Sequence, residues 1–169
     1  MVELELKCLA AGVRLERANK RHAREFARQV RPQDKAEVWA SGKLMPEQAA
    51  RGSINRSIYA YAGYAEDRSL LAVFGIVDYR NGWAAPWALS TIHVDTHPLT
   101  FWRASKVVLA HMRDSYPQMV QMIDSHYTSA LRWIERLGFT LEGAEPHGWD
   151  GRLFCRVQIL TPRLILEAG

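Results

Sequence analysis

Glu37 stands two residues before Trp39. A carboxylate held against an aromatic ring is hard to ionise, so its pKa climbs toward neutrality and it can serve as a general base in a cleft. A structural glutamate is the other reading of the same residue. His93, Asp95 and His97 form the pattern HxDxH, whose alternate positions fall on one face at a strand end, a geometry a metal could use. No further His or Cys cluster completes such a shell, so the preferred reading is a strand histidine, a capping aspartate and a turn histidine, with no metal. Cys8 and Cys155 are widely separated and outside any CxxC pair, and read as inert thiols rather than a disulfide framework or a zinc site. With no GxSxG, Walker loop or CxxC, hydrolase, NTPase and redox chemistry have no support. Tryptophan is plentiful instead: Trp83, Trp87, Trp102, Trp133 and Trp149 include several beside turns. Aromatic residues dominate interface energetics, so a protein-binding surface competes with chemistry as the working part of the molecule.

The elements that must position these residues fit within 169 residues, 48% of them hydrophobic, enough to fill the core of one domain. Lys+Arg 22 against Asp+Glu 18 gives a net charge of +4 and a pI near 9.3, a mixed surface from which no specific nucleic-acid partner is expected. No apolar run approaches the roughly 18 residues of a membrane span, and no charged-then-hydrophobic leader opens the chain. A soluble protein of a reducing cytoplasm is the expectation.

Residues 1–11 alternate weakly (Val2, Leu4, Leu6) and suggest an arm or an edge strand ahead of a domain over 12–169. A strand at Gly12 to Arg17 leads to a helix capped by Asn19, with Ala23, Phe26, Ala27 and Val30 at helical spacing, closed by Arg31-Pro32. Pro46 opens a second helix to about Ser53. Ser57 to Ala65 and Ser69 to Asp78 make a hairpin, and Asn81-Gly82 turns the chain into a strand at Ala85 to Val94, in which Pro86 hints at an edge or bulge. A long helix runs from Pro98 to about Ser115 with Phe101, Ala104, Val108 and Met112 inward. Strand Val120 to Asp124, helix Thr128 to Leu137, the stop Gly138, a strand from Phe139 and a last strand Leu153 to Leu160 complete the chain. Ala130, Trp133, Ile134 and Leu137 share one face of that second helix, so Trp133 and Leu137 are expected to hold it to the sheet.

Strand, helix, Leu137-Gly138-Phe139, strand resembles the second half of the Gcn5-related N-acetyltransferase fold, and the element order matches that fold over nearly the whole chain. The resemblance implies an α/β protein of α+β type, with a mixed, mostly antiparallel sheet flanked by helices. The words RPQDKAEVWASG (Arg31 to Gly42), VFGIV (Val73 to Val77), APWAL (Ala85 to Leu89), SALRWIERLGF and GWDGRLF (Gly148 to Phe154) look more narrowly like acetyltransferase-like proteins of short-tailed phages, similar to internal virion protein A. That likeness implies a part in virion assembly through binding phage or host proteins, in the host cytoplasm or the particle.

An active member of the fold splays one strand from its neighbour to meet the pantetheine arm of acetyl-CoA, then wraps the pyrophosphate with a glycine-rich loop. The matching segment here, Asp95 to Ser105, contains no glycine, while Pro98 removes an amide, Phe101 and Trp102 are bulky and Asp95 repels phosphate. Val94, Arg103, Ala104, Ser105 and Lys106 are the positions that would meet the cofactor, with only two cations among them. Acetyl-CoA is therefore expected to bind weakly or not at all. The tyrosine that often protonates the leaving thiolate is here Ile134, and the asparagine often found near the start of that helix is Tyr127, which could supply a hydroxyl from a different position. Glu37 and Tyr127 are thus the candidate catalytic pair, and Phe101, Trp102 and Trp149 the candidate partner-binding residues. The alternative to a binding protein is a working acetyl-CoA-dependent N-acetyltransferase acting on a host protein or a small amine.

Overall fold

A computed structural model describes residues 2–160. In chain order it contains α1 (Val2–Ala10), β1 (Arg14–Arg17), α2 (Lys20–Gln29), α3 (Pro32–Gly42), α4 (Pro46–Arg56), β2 (Tyr59–Tyr64), β3 (Leu70–Asp78), β4 (Trp83–Ser90), a 3-10 turn (Ile92–Asp95), α5 (Pro98–Ser115), β5 (Gln118–Asp124), α6 (Thr128–Arg136), β6 (Thr140–Pro146) and β7 (Leu153–Leu160). The seven strands form one sheet in the order β1-β2-β3-β4-β5-β7-β6, antiparallel at every pairing except β4 with β5. This is the mixed, mostly antiparallel sheet flanked by helices that the sequence leads one to expect.

The strands alternate their side chains between two cores. Ala62, Tyr64, Val73 and Leu89 face α2, α3 and α4, meeting Ala23, Phe26, Val38 and Ala50. On the opposite face Ile76, Met119, Ile123 and Val157 meet α5 and α6 through Leu109, Met112, Leu131 and Ile134. The hairpin turns are closed by side chains: Asp67 accepts from the Ser69 amide at 2.9 Å and Asn81 from the Trp83 amide at 3.2 Å. Asn19 caps α2 as expected, accepting from the Arg21 amide at 2.8 Å.

Three local expectations give way. Residues 2–10 are a helix rather than an edge strand or arm, because Leu4 and Cys8, one turn apart, enter a pocket with Tyr61; the alternating Val2 and Leu6 stay exposed and mislead. Residues 32–42 form α3, invisible as a helix because its buried positions are Asp34, Val38 and Ala40 with Glu37 beside them, so no apolar stripe at helical spacing marks it. Strand β4 ends at Ser90, four residues before the expected Val94, where Thr91 turns its amide to the Leu71 carbonyl and caps the 3-10 turn by accepting from the His93 amide.

In α6 the anchoring pair is Leu131 and Ile134, not Trp133 and Leu137, which are only partly buried. Gly138 takes the left-handed conformation of a helix stop, with φ +100. Trp133 stacks on Phe101 of α5, ring centroids 5.5 Å apart, while its indole N–H is buried with no hydrogen-bond partner. We therefore expect Ile134→Ala to lower stability by about 2–4 kcal/mol and Trp133→Ala to cost less, because that change also removes an unsatisfied donor. Urea denaturation of both variants checks the order; a larger loss for Trp133→Ala would reverse the assignment of the anchor.

Candidate functional site

Strands β4 and β5 pair only at Trp83 with Gln118 and Ala84 with Met119, and beyond that they part. Pro86 sits where the strands divide. Its carbonyl points toward β5 and accepts from the Gln121 side-chain amide at 3.0 Å, so the N–H that proline lacks is missing on the side where no ladder bond is available. The inner edges of the fork still carry backbone groups that must find partners. Helix α3 supplies them.

Asp34 and Glu37 lie one helical turn apart and reach the two arms of the fork separately. Asp34 accepts from the Ser90 amide at 2.8 Å through one oxygen, and from the Ser90 hydroxyl at 2.9 Å and the Tyr127 hydroxyl at 2.6 Å through the other. Glu37 accepts from the Asp124 amide, at the end of β5, at 2.8 Å. Arg31 closes the mouth, donating to the Tyr127 hydroxyl at 3.1 Å and to Asp95 at 3.0 Å. Asp124 in turn accepts from the His126 amide at 2.9 Å and from Arg152 at 3.1 Å.

Burial governs the protonation states here. It pushes the Asp34 carboxyl above its ordinary value, with the Tyr127 and Ser90 bonds pulling the other way. Burial pushes Glu37 further, to about 8, with the negative charges of Asp34 and Asp124 adding to it, so at neutral pH this carboxyl is largely protonated. The same burial, together with Asp34, holds Tyr127 well above the usual phenol range. At Asp124 burial acts upward too, but the His126 and Arg152 bonds outweigh it and keep the carboxyl below its usual value.

The structure thus brings Glu37 and Tyr127 together through Asp34, a residue the sequence reading passed over. The candidate cofactor positions are placed otherwise. Val94 is buried in the 3-10 turn, Ala104 packs with Val13 and Leu71, and the Ser105 hydroxyl bonds back to the Phe101 carbonyl at 2.7 Å. Lys106 lies over the Trp102 ring at 5.6 Å, and Arg103 is exposed. The amides of Ser90, His93, Val94, Thr96 and His97 all bond within the protein, and Pro98 has none. An acyl-CoA reaching this segment would therefore find these five amides already engaged within the protein.

The HxDxH residues disperse: His93 bonds Gln29, Asp95 pairs with Arg31, and His97 lies 3.2 Å from Asp67. Among the described residues no group of three His, Cys, Asp or Glu side chains is arranged to hold a metal ion. Trp149 is 51% exposed and meets Trp39, 41% exposed, edge to face at 6.0 Å, donating its indole N–H to the Trp39 carbonyl at 2.7 Å. Lys43 lies over the Trp149 ring at 5.1 Å, and Leu44 and Met45 are exposed beside it in sequence. The loop reaches α3 because Gly148, at φ +78, has no Cβ; one there would run into the Ala40 carbonyl. In sequence Trp39 stands out only as a neighbour of Glu37.

Glu37 makes the stability of the fold depend on pH. Its folded value, about 8, lies above the unfolded 4.5, so the native state holds a proton that the unfolded chain releases, and stability falls as pH rises from about 4.5 to about 8. Glu37→Gln keeps an oxygen for the Asp124 amide and cannot ionise. It is expected to raise stability by about 2–4 kcal/mol at pH 8 and much less at pH 5. Thermal melts of both proteins across that range check it; parallel curves would place the Glu37 carboxyl in water.

No protein-family model matches the chain, and no curated protein sequence does. Its fold nevertheless has many solved counterparts. A chimera of the Vibrio cholerae spermidine N-acetyltransferase superposes with a TM-score of 0.65 at 13% identity, over 88% of this chain and 95% of that one. A Gcn5-related N-acetyltransferase from Kribbella flavida gives 0.61 at 12% identity, over 90% and 99%. An IAA acetyltransferase from Bacillus cereus gives 0.57 at 13% identity, over 87% and 98%. At such identities the likeness is one of architecture, and the chain has the fold of the Gcn5-related N-acetyltransferases.

Proposed function

We propose that this protein works by binding other proteins on an acetyltransferase scaffold whose cofactor fork is closed by its own helix α3. The observation that carries the reading is the pair of hydrogen bonds from the fork to α3, Ser90 amide to Asp34 and Asp124 amide to Glu37. Those contacts occupy a backbone amide on each arm of the fork. The same helix carries Trp39 outward against Trp149, an exposed aromatic pair with a cation over it. Rigid aromatic side chains of this kind are the commonest anchors of protein interfaces. On this reading a phage structural protein is the partner to try first, in the host cytoplasm or the particle.

The second reading is an acetyl-CoA-dependent N-acyltransferase acting on a host protein or a small amine. The named structural neighbours favour it, since each is an acetyltransferase. So does the convergence of Glu37 and Tyr127 on the fork, a carboxyl titrating near 8 on the Asp124 amide and a hydroxyl that keeps its proton on Asp34. This reading requires α3 to leave the fork.

Calorimetric titration with acetyl-CoA separates the two. The binding reading expects a dissociation constant no tighter than about 0.1–1 mM, and low-micromolar binding or turnover with any amine acceptor would overturn it. Asp34→Ala strands the Ser90 and Tyr127 donors and is expected to cost about 3–5 kcal/mol of stability, which urea denaturation checks. On the surface side, Trp39→Ala and Trp149→Ala are each expected to weaken partner association at least tenfold while the melting temperature holds; equal losses of binding and of folded protein would make the pair structural.

A further inference from the structure

Residues 14–56 carry eleven of the chain's 22 Lys and Arg side chains against five of its 18 acids. Much of that charge stands on α2 and α4, which pack side by side. Lys20, Arg24 and Arg28 are all exposed at i, i+4 and i+8, a straight ridge about 12 Å long at 1.5 Å per residue. Arg21 and Arg51 stand beside it and line a groove of about 700 Å³ together with Lys20 and the amides Asn19 and Asn55. No carboxylate lines that groove.

The acids nearby are outnumbered and shared. Glu47 lies 3.4 Å from Arg24 and 3.8 Å from Arg51, so one carboxylate serves two guanidiniums and holds them side by side. Glu16 is divided among Arg14, Arg21 and His22. Lys20 and Arg28 have no carboxylate partner among the described residues.

We propose that this face binds the phosphate backbone of a nucleic acid without regard to sequence. The charge is mostly guanidinium, whose planar fork suits phosphate oxygens, and it is set in a regular line. A duplex carries one phosphate per strand about every 3.4 Å of helix axis, so a line of cations this long can meet more than one. The groove is the size of a small-ligand pocket and can seat one nucleotide unit against Lys20, Arg21 and Arg51. No aromatic ring lines it, so bases have nothing to stack on and the contact is with phosphate. The surface is separate from the fork and from the Trp39 and Trp149 pair, so it stands whichever reading of those is right.

The test is fluorescence anisotropy of a labelled 20-base-pair duplex with the purified full chain between 50 and 200 mM salt. Binding is expected in the range of about 10⁻⁴–10⁻⁶ M at physiological salt, equal for unrelated sequences and falling steeply as salt rises. Lys20→Gln with Arg28→Gln breaks no ion pair; it is expected to weaken binding at least tenfold and to reduce the salt slope by about 1.8, the share of two phosphate contacts. Arg132→Gln with Arg136→Gln, exposed cations on α6, is the control and is expected to change neither. Absence of binding at 50 mM salt would overturn the proposal, as would an equal loss in the control. Displacement of the duplex by polyglutamate at equal charge concentration would also overturn it, since it would make the face one for acidic proteins.

Discussion

The parting of β4 and β5 after two paired residues is the constraint to which the rest of the molecule answers. Strands that diverge inside a sheet expose inner backbone edges, and buried amides without partners cost about 1–3 kcal/mol each. Here the partners come from a helix rather than a neighbouring strand. Asp34 ties α3 to the end of β4 and Glu37 ties it to the end of β5, so one turn of helix spans a gap that no ladder closes. The arrangement places three carboxyls near one another in a poorly solvated place. It is tolerable because Arg31 and Arg152 bring positive charge to the margins and Glu37 gives up its own charge by keeping a proton.

The fork is also linked to the exposed aromatic pair. Arg152, which pairs with Asp124 at the end of β5, belongs to the loop that carries Gly148 and Trp149, and that loop lies against the C-terminal end of α3. Helix α3 is therefore held from two directions, by the fork beneath its first turns and by the β6–β7 loop at its end. Trp39 and Trp149 take their relative positions from both supports. A surface built this way is preorganised, which reduces the ordering cost that flexible aromatic side chains would otherwise impose on binding.

The fold was legible where local pattern and tertiary role agree. Asn19 before an amphipathic helix, Asn81-Gly82 between strands and Gly138 after α6 each do locally what the fold requires globally. Reading failed where burial is polar. Helix α3 turns Asp34 and Glu37 inward, so a search for apolar spacing passes over it, and Asp34 in a first turn after Pro32 looks like an ordinary complement to the helix dipole. Its partners, Ser90 and Tyr127, are 56 and 93 residues away, and no local signal reports them. Strand β4 was read too long for a related reason. Ile92 and Val94 are β-branched and read as more strand, but Thr91 caps a 3-10 turn while its amide bonds Leu71 on β3. Glu37 and Tyr127 were picked out singly, for a raised pKa and a spare hydroxyl; that both converge on α3 and the fork is a fact of the third dimension.

A closed fork and an acetyltransferase fold are not contradictory, because the fork must be filled by something whether or not catalysis survives. An acyl-CoA competing for the site would have to release α3 first, and its apparent affinity would be reduced by the fraction of molecules in which the helix is released. If docking of α3 is worth about 3 kcal/mol, that fraction is below about one per cent, a loss of more than a hundredfold before the glycine-free loop is considered. A partner seated on Trp39 and Trp149 would bear on the same helix. By reciprocity, a partner that prefers the docked helix disfavours any ligand of the open fork, and one that prefers the released helix favours it by the same factor. On the proposed reading, a partner at the aromatic surface and a ligand at the fork would be coupled through α3, with a sign set by which position of the helix the partner prefers.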